Sequence, residues 1–249
     1  MITNSPFATH GINHLSASQI NSWVANPAGY LAQLAGMTYT VGPAAWRGTA
    51  SEVGIHDVIT GGDNPLKKAL GKFDSEAIEN GPIYSEKAVA KERSSITNYM
   101  FNGAELYRNL GKLEDYQTKI VVEFDDLEIP FVGYVDFVFE KSIRDTKTTN
   151  RKPSKINESA CRQLSIYALA YPDHHVWVDY ITPREAVSYK LTKPKEYQDQ
   201  VLKIALGLRK FLALSNDPLE LCSMIHPDFD DWRWNADMQS QANEIWGYK

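Results

Sequence analysis

The spacing of apolar residues along this chain changes period twice, and the changes divide it into a helical opening, a strand-rich middle and a helical end. Ile20, Trp23 and Val24 repeat at helical spacing behind Leu15-Ser16-Ala17-Ser18, where a serine can cap the first turn, and Asn26-Pro27 ends the run. A second helix is predicted over about Trp46 to Ile59, stopped by Gly61-Gly62. Ser85 to Leu110 reads as one long surface helix or two shorter ones. Three segments rich in β-branched and aromatic residues then predict strands: Tyr116 to Glu123, Ile129 to Glu140 and Ile143 to Thr149. Helical spacing returns over Asn157 to Tyr171. Val176 to Ile181 and Ser188 to Leu191 predict further strands, and Lys195 to Leu214 is an amphipathic helix. The tail beyond Pro227 holds three of the six tryptophans, so it is expected to pack on the body. This order predicts an α/β or α+β domain around one central mixed sheet.

Composition narrows the class. A chain of 249 residues with 43% hydrophobic and 23% charged residues can bury a full core. No linker divides it, so a single domain over 1–249 is expected, with a core at about 45–185 and a helical part at about 195–249. The net charge of −5 supplies no global attraction to nucleic acid. Two cysteines, Cys161 and Cys222, are too few for a disulfide framework, a four-cysteine zinc site or an iron–sulfur cluster, and a reducing cytoplasm is the expected compartment. Residues 1–46 contain no Asp, Glu, Lys or Arg, unlike the basic start of a signal peptide. No apolar run is long enough to span a bilayer.

The candidate chemistry lies in Gly133 to Thr149. Alternate strand residues share a face, so Asp145 and Lys147 point the same way. If Lys141-Ser142 form a two-residue turn, Glu140 faces Ile143, Val138 faces Asp145 and Asp136 faces Lys147. Asp136, Asp145 and Lys147 then converge. Two close carboxylates repel, and a hard divalent cation such as Mg²⁺ or Mn²⁺ relieves the cost. A lysine beside them can stabilise charge developing on a phosphate. The plain alternative is a solvated Asp–Lys pair on a strand face. Arg144, Lys147, Arg151, Lys152 and Lys155 make a local basic excess against Asp145, suited to phosphates or simply solvated.

Five short motifs, spanning Leu15 to Tyr171, resemble the RecB-like branch of the PD-(D/E)xK nuclease superfamily. They are Leu15-Ser16-Ala17-Ser18 with Asn26-Pro27; Arg47-Gly48 through His56; Gly133-Tyr134-Val135-Asp136; Asp145-Thr146-Lys147-Thr148; and Gln163-Leu164-Ser165-Ile166-Tyr167. The resemblance implies a restriction-endonuclease-like core and metal-dependent DNA cleavage, with exonuclease action in recombination, repair or phage DNA metabolism. It implies His56, Asp136, Asp145 and the Thr146 carbonyl as metal ligands, Lys147 as the catalytic lysine, and Gln163 and Tyr167 as a pair that positions nucleic acid. Glu52, one turn before His56, would orient or supplement it. DNA ends are the implied partner, with an annealing or other recombination protein beside them. Taken without the family, His56 is an ordinary helix histidine, Tyr167 a core residue and Glu123 a solvated strand end. Members of this branch with an iron–sulfur cluster carry a cysteine where Asn26 stands here, so no cluster is expected. The rival functions are a silent nucleic-acid-binding or scaffold protein of the same fold, and a sequence-specific endonuclease.

Overall fold

The computed structural model describes residues 5–80, 84–231 and 233–248. Ten helices and five strands follow one another among them: α1 (Pro6–Thr9), α2 (Ala17–Ala25), α3 (Pro27–Leu34), α4 (Pro43–Ile59), α5 (Pro65–Asn80), α6 (Glu86–Tyr107), β1 (Leu113–Val122), β2 (Phe131–Phe139), β3 (Ser142–Thr148), α7 (Glu158–Ala170), β4 (His175–Ile181), β5 (Ala186–Lys190), α8 (Pro194–Leu212), α9 (Pro218–Ser223) and α10 (Ala236–Trp246). Polar caps set several starts. Ser16 Oγ accepts from the Gln19 amide at α2, Ser85 Oγ from Ala88 at α6, and Asn157 Oδ1 from Ala160 at α7. Ser85 to Leu110 is therefore one helix rather than two. Helix α4 begins at Pro43, ahead of the expected Trp46, because proline is preorganised for a first helical turn.

The strands form one sheet in the order β1-β2-β3-β4-β5. Only the β3–β4 pair is parallel, with α7 as its crossover; the other neighbours are antiparallel. Helices cover both faces of this mixed sheet. On one face α4, α5 and α6 bury Trp46, Phe73, Tyr99 and Met100 against Phe137, Phe139 and Ile181. On the other, α2, α3, α7 and α8 pack Ile20, Leu31, Leu164 and Val201 against Phe131, Ile143 and Val178. The tail packs on the body as expected: Trp234 and Met238 sit with Ala28 and Ala32 of α3. Trp232 lies outside the described residues. No described helix is long and apolar enough to cross a membrane.

One expectation on register needs correction. Glu140 and Lys141, not Lys141 and Ser142, form the β2–β3 turn, so Phe139 faces Ser142, Val138 faces Ile143 and Phe137 faces Arg144. The slip is two positions in the partner strand, an even number, so every side chain keeps its face. Asp136 consequently stands beside Asp145 rather than Lys147.

Candidate active site

The backbone ladder between β2 and β3 runs from Phe139↔Ser142 to Phe137↔Arg144. Beyond that point a side chain takes over: Asp136 Oδ2 accepts the Thr146 amide at 2.6 Å. The strand pair thus opens at the level of the two aspartates, while β3 stays held by β4 from Ser142↔His175 to Thr148↔Ile181. On the opposite face of β3 the Thr146 hydroxyl lies 2.8 Å from that of the buried Tyr107 on α6.

Asp145 is fully buried. Lys147 Nζ lies 2.9 Å from its Oδ2, while Asp145 Oδ1 has no described hydrogen-bond partner. The pair leaves acceptor capacity of the carboxylate unfilled in the protein interior. Lys147 itself is partly exposed and can reach outward. Burial works to lower its ammonium pKa, but Asp145, Asp136 and Glu52 outweigh that effect and hold it above the ordinary value.

Glu52 joins this group from α4. Gln117 of β1 donates to Glu52 Oε1, and its amide nitrogen is 3.5 Å from Asp136 Oδ1. Burial, countered by bonds from Gln117 and Tyr116 and assisted by the charge of Asp145, lifts the Glu52 carboxyl to about 7. Burial and then the charges of Asp145 and Glu52 lift Asp136 well above its ordinary value. Three carboxylates share one cationic side chain, and proton uptake partly relieves their repulsion. Gln117 is the non-glycine residue with positive φ, at 51°, among the described residues. A left-handed residue inside a strand is strained, and here it brings the amide between two acids.

Other candidate residues are placed differently. His56 stacks on Tyr116, ring centroids 4.1 Å apart, and burial lowers its pKa, with Asp57 and Lys68 as its charged neighbours. The structure therefore puts Glu52 beside the aspartates, with His56 one turn on, buttressing a ring that faces Glu52. Tyr167 is 2% exposed; its hydroxyl donates to the Tyr134 carbonyl and accepts from Gln163 Nε2, each at 2.7 Å. Its ring lies over Gly133, where a Cβ would stand 3.3 Å from Cε1. Gln163 is the more accessible of the two. Arg144 is withdrawn from any basic surface: it is buried, paired with Asp179 at 3.3 Å and set over Trp177. Lys152 is tied to Glu185 at 2.9 Å, while Arg151 is exposed at the loop after β3.

Gln117 was not singled out in the sequence, and Arg47 entered only as the first residue of the motif that runs to His56. Arg47 is buried, pairs with Glu92, and donates to the Thr148 hydroxyl at 3.2 Å. At Gly48 a Cβ would stand 3.2 Å from that same hydroxyl. Arg47-Gly48 thus fixes α4 to the end of β3, which sets Glu52 opposite the aspartates. Arg47 had a signal, a basic residue opening an otherwise apolar helical face; Gln117 had none.

Oxygen donors with unfilled capacity suit a hard divalent cation. Among the described residues no group of three or more His, Cys, Asp and Glu side chains stands at metal-ligand spacing. The fit rests instead on the buried Asp145 carboxylate, whose Oδ1 has no described partner, next to Asp136, with Glu52 held close by Gln117.

The model of the PD-(D/E)XK nuclease superfamily matches residues 14–245. A search of curated proteins returned no match. Among solved structures, a protein from Eubacterium rectale assigned as a candidate exonuclease superposes with a TM-score of 0.55 at 11% identity, covering 96% of this chain and 91% of that one. SSO0001 gives a TM-score of 0.38 at 18% identity over 65% of this chain and 93% of its own, too low to bear on the argument.

Proposed function

This chain belongs to the PD-(D/E)XK nuclease superfamily, and from that premise we propose that it is a metal-dependent DNA nuclease whose site is Asp136, Asp145 and Lys147, with Glu52 as the third acid. The observation that carries this reading is Asp145: a fully buried carboxylate beside a second acid, with Lys147 at 2.9 Å as its described charge partner and its Oδ1 without one. One lysine cannot offset three close carboxylates, and the remaining buried negative charge is costly unless a further cation completes it.

Asp136, Asp145 and Glu52 would hold Mg²⁺ or Mn²⁺. When bound, such an ion acts as a Lewis acid toward a phosphate and acidifies water. The chain's own groups do the rest. Lys147, charged throughout the neutral range, is aimed from β3 to meet negative charge growing on the phosphate. Gln117 keeps two acids in place, so little reorganisation accompanies the reaction. Gln163 and Arg151 are the accessible polar groups suited to the strand's backbone. The whole of 1–249 is read as one nuclease domain of the RecB-like branch, and exonuclease action on ends fits both that branch and the assigned activity of the Eubacterium rectale protein.

The test uses end-labelled linear single- and double-stranded DNA beside closed circular DNA, with Mg²⁺, Mn²⁺ or EDTA. Metal-dependent loss of linear DNA with survival of the circle is expected, and Lys147→Ala should lower the rate roughly a thousandfold while the fold is kept. Survival of every substrate with either metal, or full activity of Lys147→Ala, would overturn the assignment.

A further inference from the structure

A cavity of about 490 Å³ lies where the parallel strands β3 and β4 end, between residues 150–152 and 182–185. The first stretch leaves β3, and the second turns β4 into β5. Side chains of α6 fix the backbone of both. The hydroxyl of the buried Tyr99 lies 3.2 Å from the Thr149 carbonyl and 3.1 Å from Asn150 Oδ1. Asn102 Nδ2 donates to the Thr182 carbonyl at 2.9 Å. The Thr149 amide donates to the Ile181 carbonyl, and the turn closes on Thr182 Oγ1, which accepts the amides of Arg184 and Glu185.

The charge on this fixed frame is one-sided. Arg151, Lys152 and Arg184 line the cavity against a single carboxylate, Glu185, which Lys152 takes at 2.9 Å. Arg151 and Arg184 are exposed, and neither guanidinium has a partner among the described residues. A guanidinium presents a rigid fork of donors that matches a phosphate. The chain itself ties the cavity to the acids: Arg151 follows Lys147 by four residues, so their Cα atoms stand no more than about 14 Å apart. A strand with one phosphate at Lys147 carries others within that reach. It also meets a chain of net charge −5 and the repulsion of Glu52, Asp136 and Asp145, which cations beside the site offset.

We propose that this cavity binds a phosphate of the substrate strand other than the one cleaved, with Arg151 and Arg184 as its ligands. Lys152 neutralises Glu185, so that the carboxylate does not oppose them. The choice of a nucleic-acid strand rests on the nuclease reading; the anion site rests on the cavity, its fixed backbone and its two unpaired arginines.

The test is fluorescence anisotropy of a labelled single-stranded oligonucleotide on full-length Lys147→Ala protein with Mg²⁺, over a series of KCl concentrations. Each phosphate neutralised on a single strand contributes about −0.7 to the slope of log K against log salt. Arg151→Gln with Arg184→Gln should flatten the slope by about 0.7 or more and weaken binding about tenfold at low salt. Neither guanidinium has a described partner to lose, so the melting temperature should be kept. The control is Lys203→Gln with Lys210→Gln, which removes two charges from exposed positions of α8 outside the cavity. It should leave the slope unchanged. Repeating the series with 5′-phosphate and 5′-hydroxyl oligonucleotides separates two sources of the bound group. A slope change that needs the 5′-phosphate identifies a terminal phosphate, one indifferent to it an internal phosphate, and either supports the assignment. An unchanged slope in the arginine variant, an equal change in the α8 variant, or no binding by the Lys147→Ala protein would overturn it. Cleavage by the unsubstituted chain is measured separately: its absence would strike the nuclease reading and leave the salt slope to report on the cavity.

Discussion

Gln117 shows what a single residue contributes to this site. Its φ of 51° is costly for a side chain with a Cβ, and its amide is what that conformation delivers to Glu52 and Asp136. Gln117→Gly removes the strain and the amide together. It should stabilise the fold by up to about 1 kcal/mol in urea unfolding while lowering the single-turnover cleavage rate about tenfold. Loss of both stability and activity would make Gln117 merely structural. Glu52 makes a second residue-scale prediction. Its folded value of about 7 exceeds the ordinary 4.5, so the folded chain binds the proton more tightly than the unfolded one. That contribution is fully present below about 4.5 and is lost as pH rises through about 7; Asp136, also raised, acts in the same direction. In EDTA, the melting temperature should fall across this window, Glu52→Gln should flatten the fall, and Mg²⁺ should restore stability at the alkaline end. A melting temperature that rises with pH would contradict the arrangement.

At the scale of elements, β3 is anchored on both sides by polar groups that the sheet buries. Arg144 of β3 and Asp179 of β4 pair where neither is exposed, and Ser188 of β5 donates to the same carboxylate at 2.5 Å. Removing one partner of a buried pair leaves an uncompensated charge, so Asp179→Ala should cost about 3 kcal/mol in chemical denaturation. The double substitution Arg144→Met with Asp179→Leu should recover most of that loss. Across β2, Tyr167 does comparable work for α7: its hydroxyl reaches the Tyr134 carbonyl and its ring needs the bare Gly133. Tyr167→Phe should cost about 1 kcal/mol in urea unfolding, since it removes the bond to that carbonyl.

For the whole molecule, the packing gives the tail no independence. Trp234, Met238 and Ala242 lie on Ala28 and Ala32, and Trp246 Nε1 donates to the carbonyls of Cys222 and Ile225. The opening helices share a core with the sheet and α8. Unfolding should therefore be one transition with matching calorimetric and van't Hoff enthalpies. A chain ending at Asp217 should melt markedly lower, because truncation uncovers the apolar face of α3. Two separated transitions would show that the C-terminal helices fold on their own.

The five strands with α2, α4, α6, α7 and α8, the shared face of Asp136, Asp145 and Lys147, and the cap of α2 were legible in the linear chain, because periodicity and capping depend on residues within a turn of one another. Helices α1, α3, α5, α9 and α10 were not read from it. Even the misplaced β2–β3 turn left the side-chain faces unchanged, since alternation is indifferent to an even slip. What the chain order did not contain was which distant groups would meet. Glu52 and His56 stand one helical turn apart with equal local credentials, and only the lock of Arg47-Gly48 on Thr148 decides which turn faces the acids. Tyr167 is core rather than surface because β2 passes beneath it at a glycine, and Arg144 leaves the basic loop because Asp179 arrives from a parallel neighbour across a helical crossover. Local sequence sets periods and ends of elements, whereas burial and charge pairing depend on contacts between residues far apart in the chain, and those exist only once the sheet and its helices have packed.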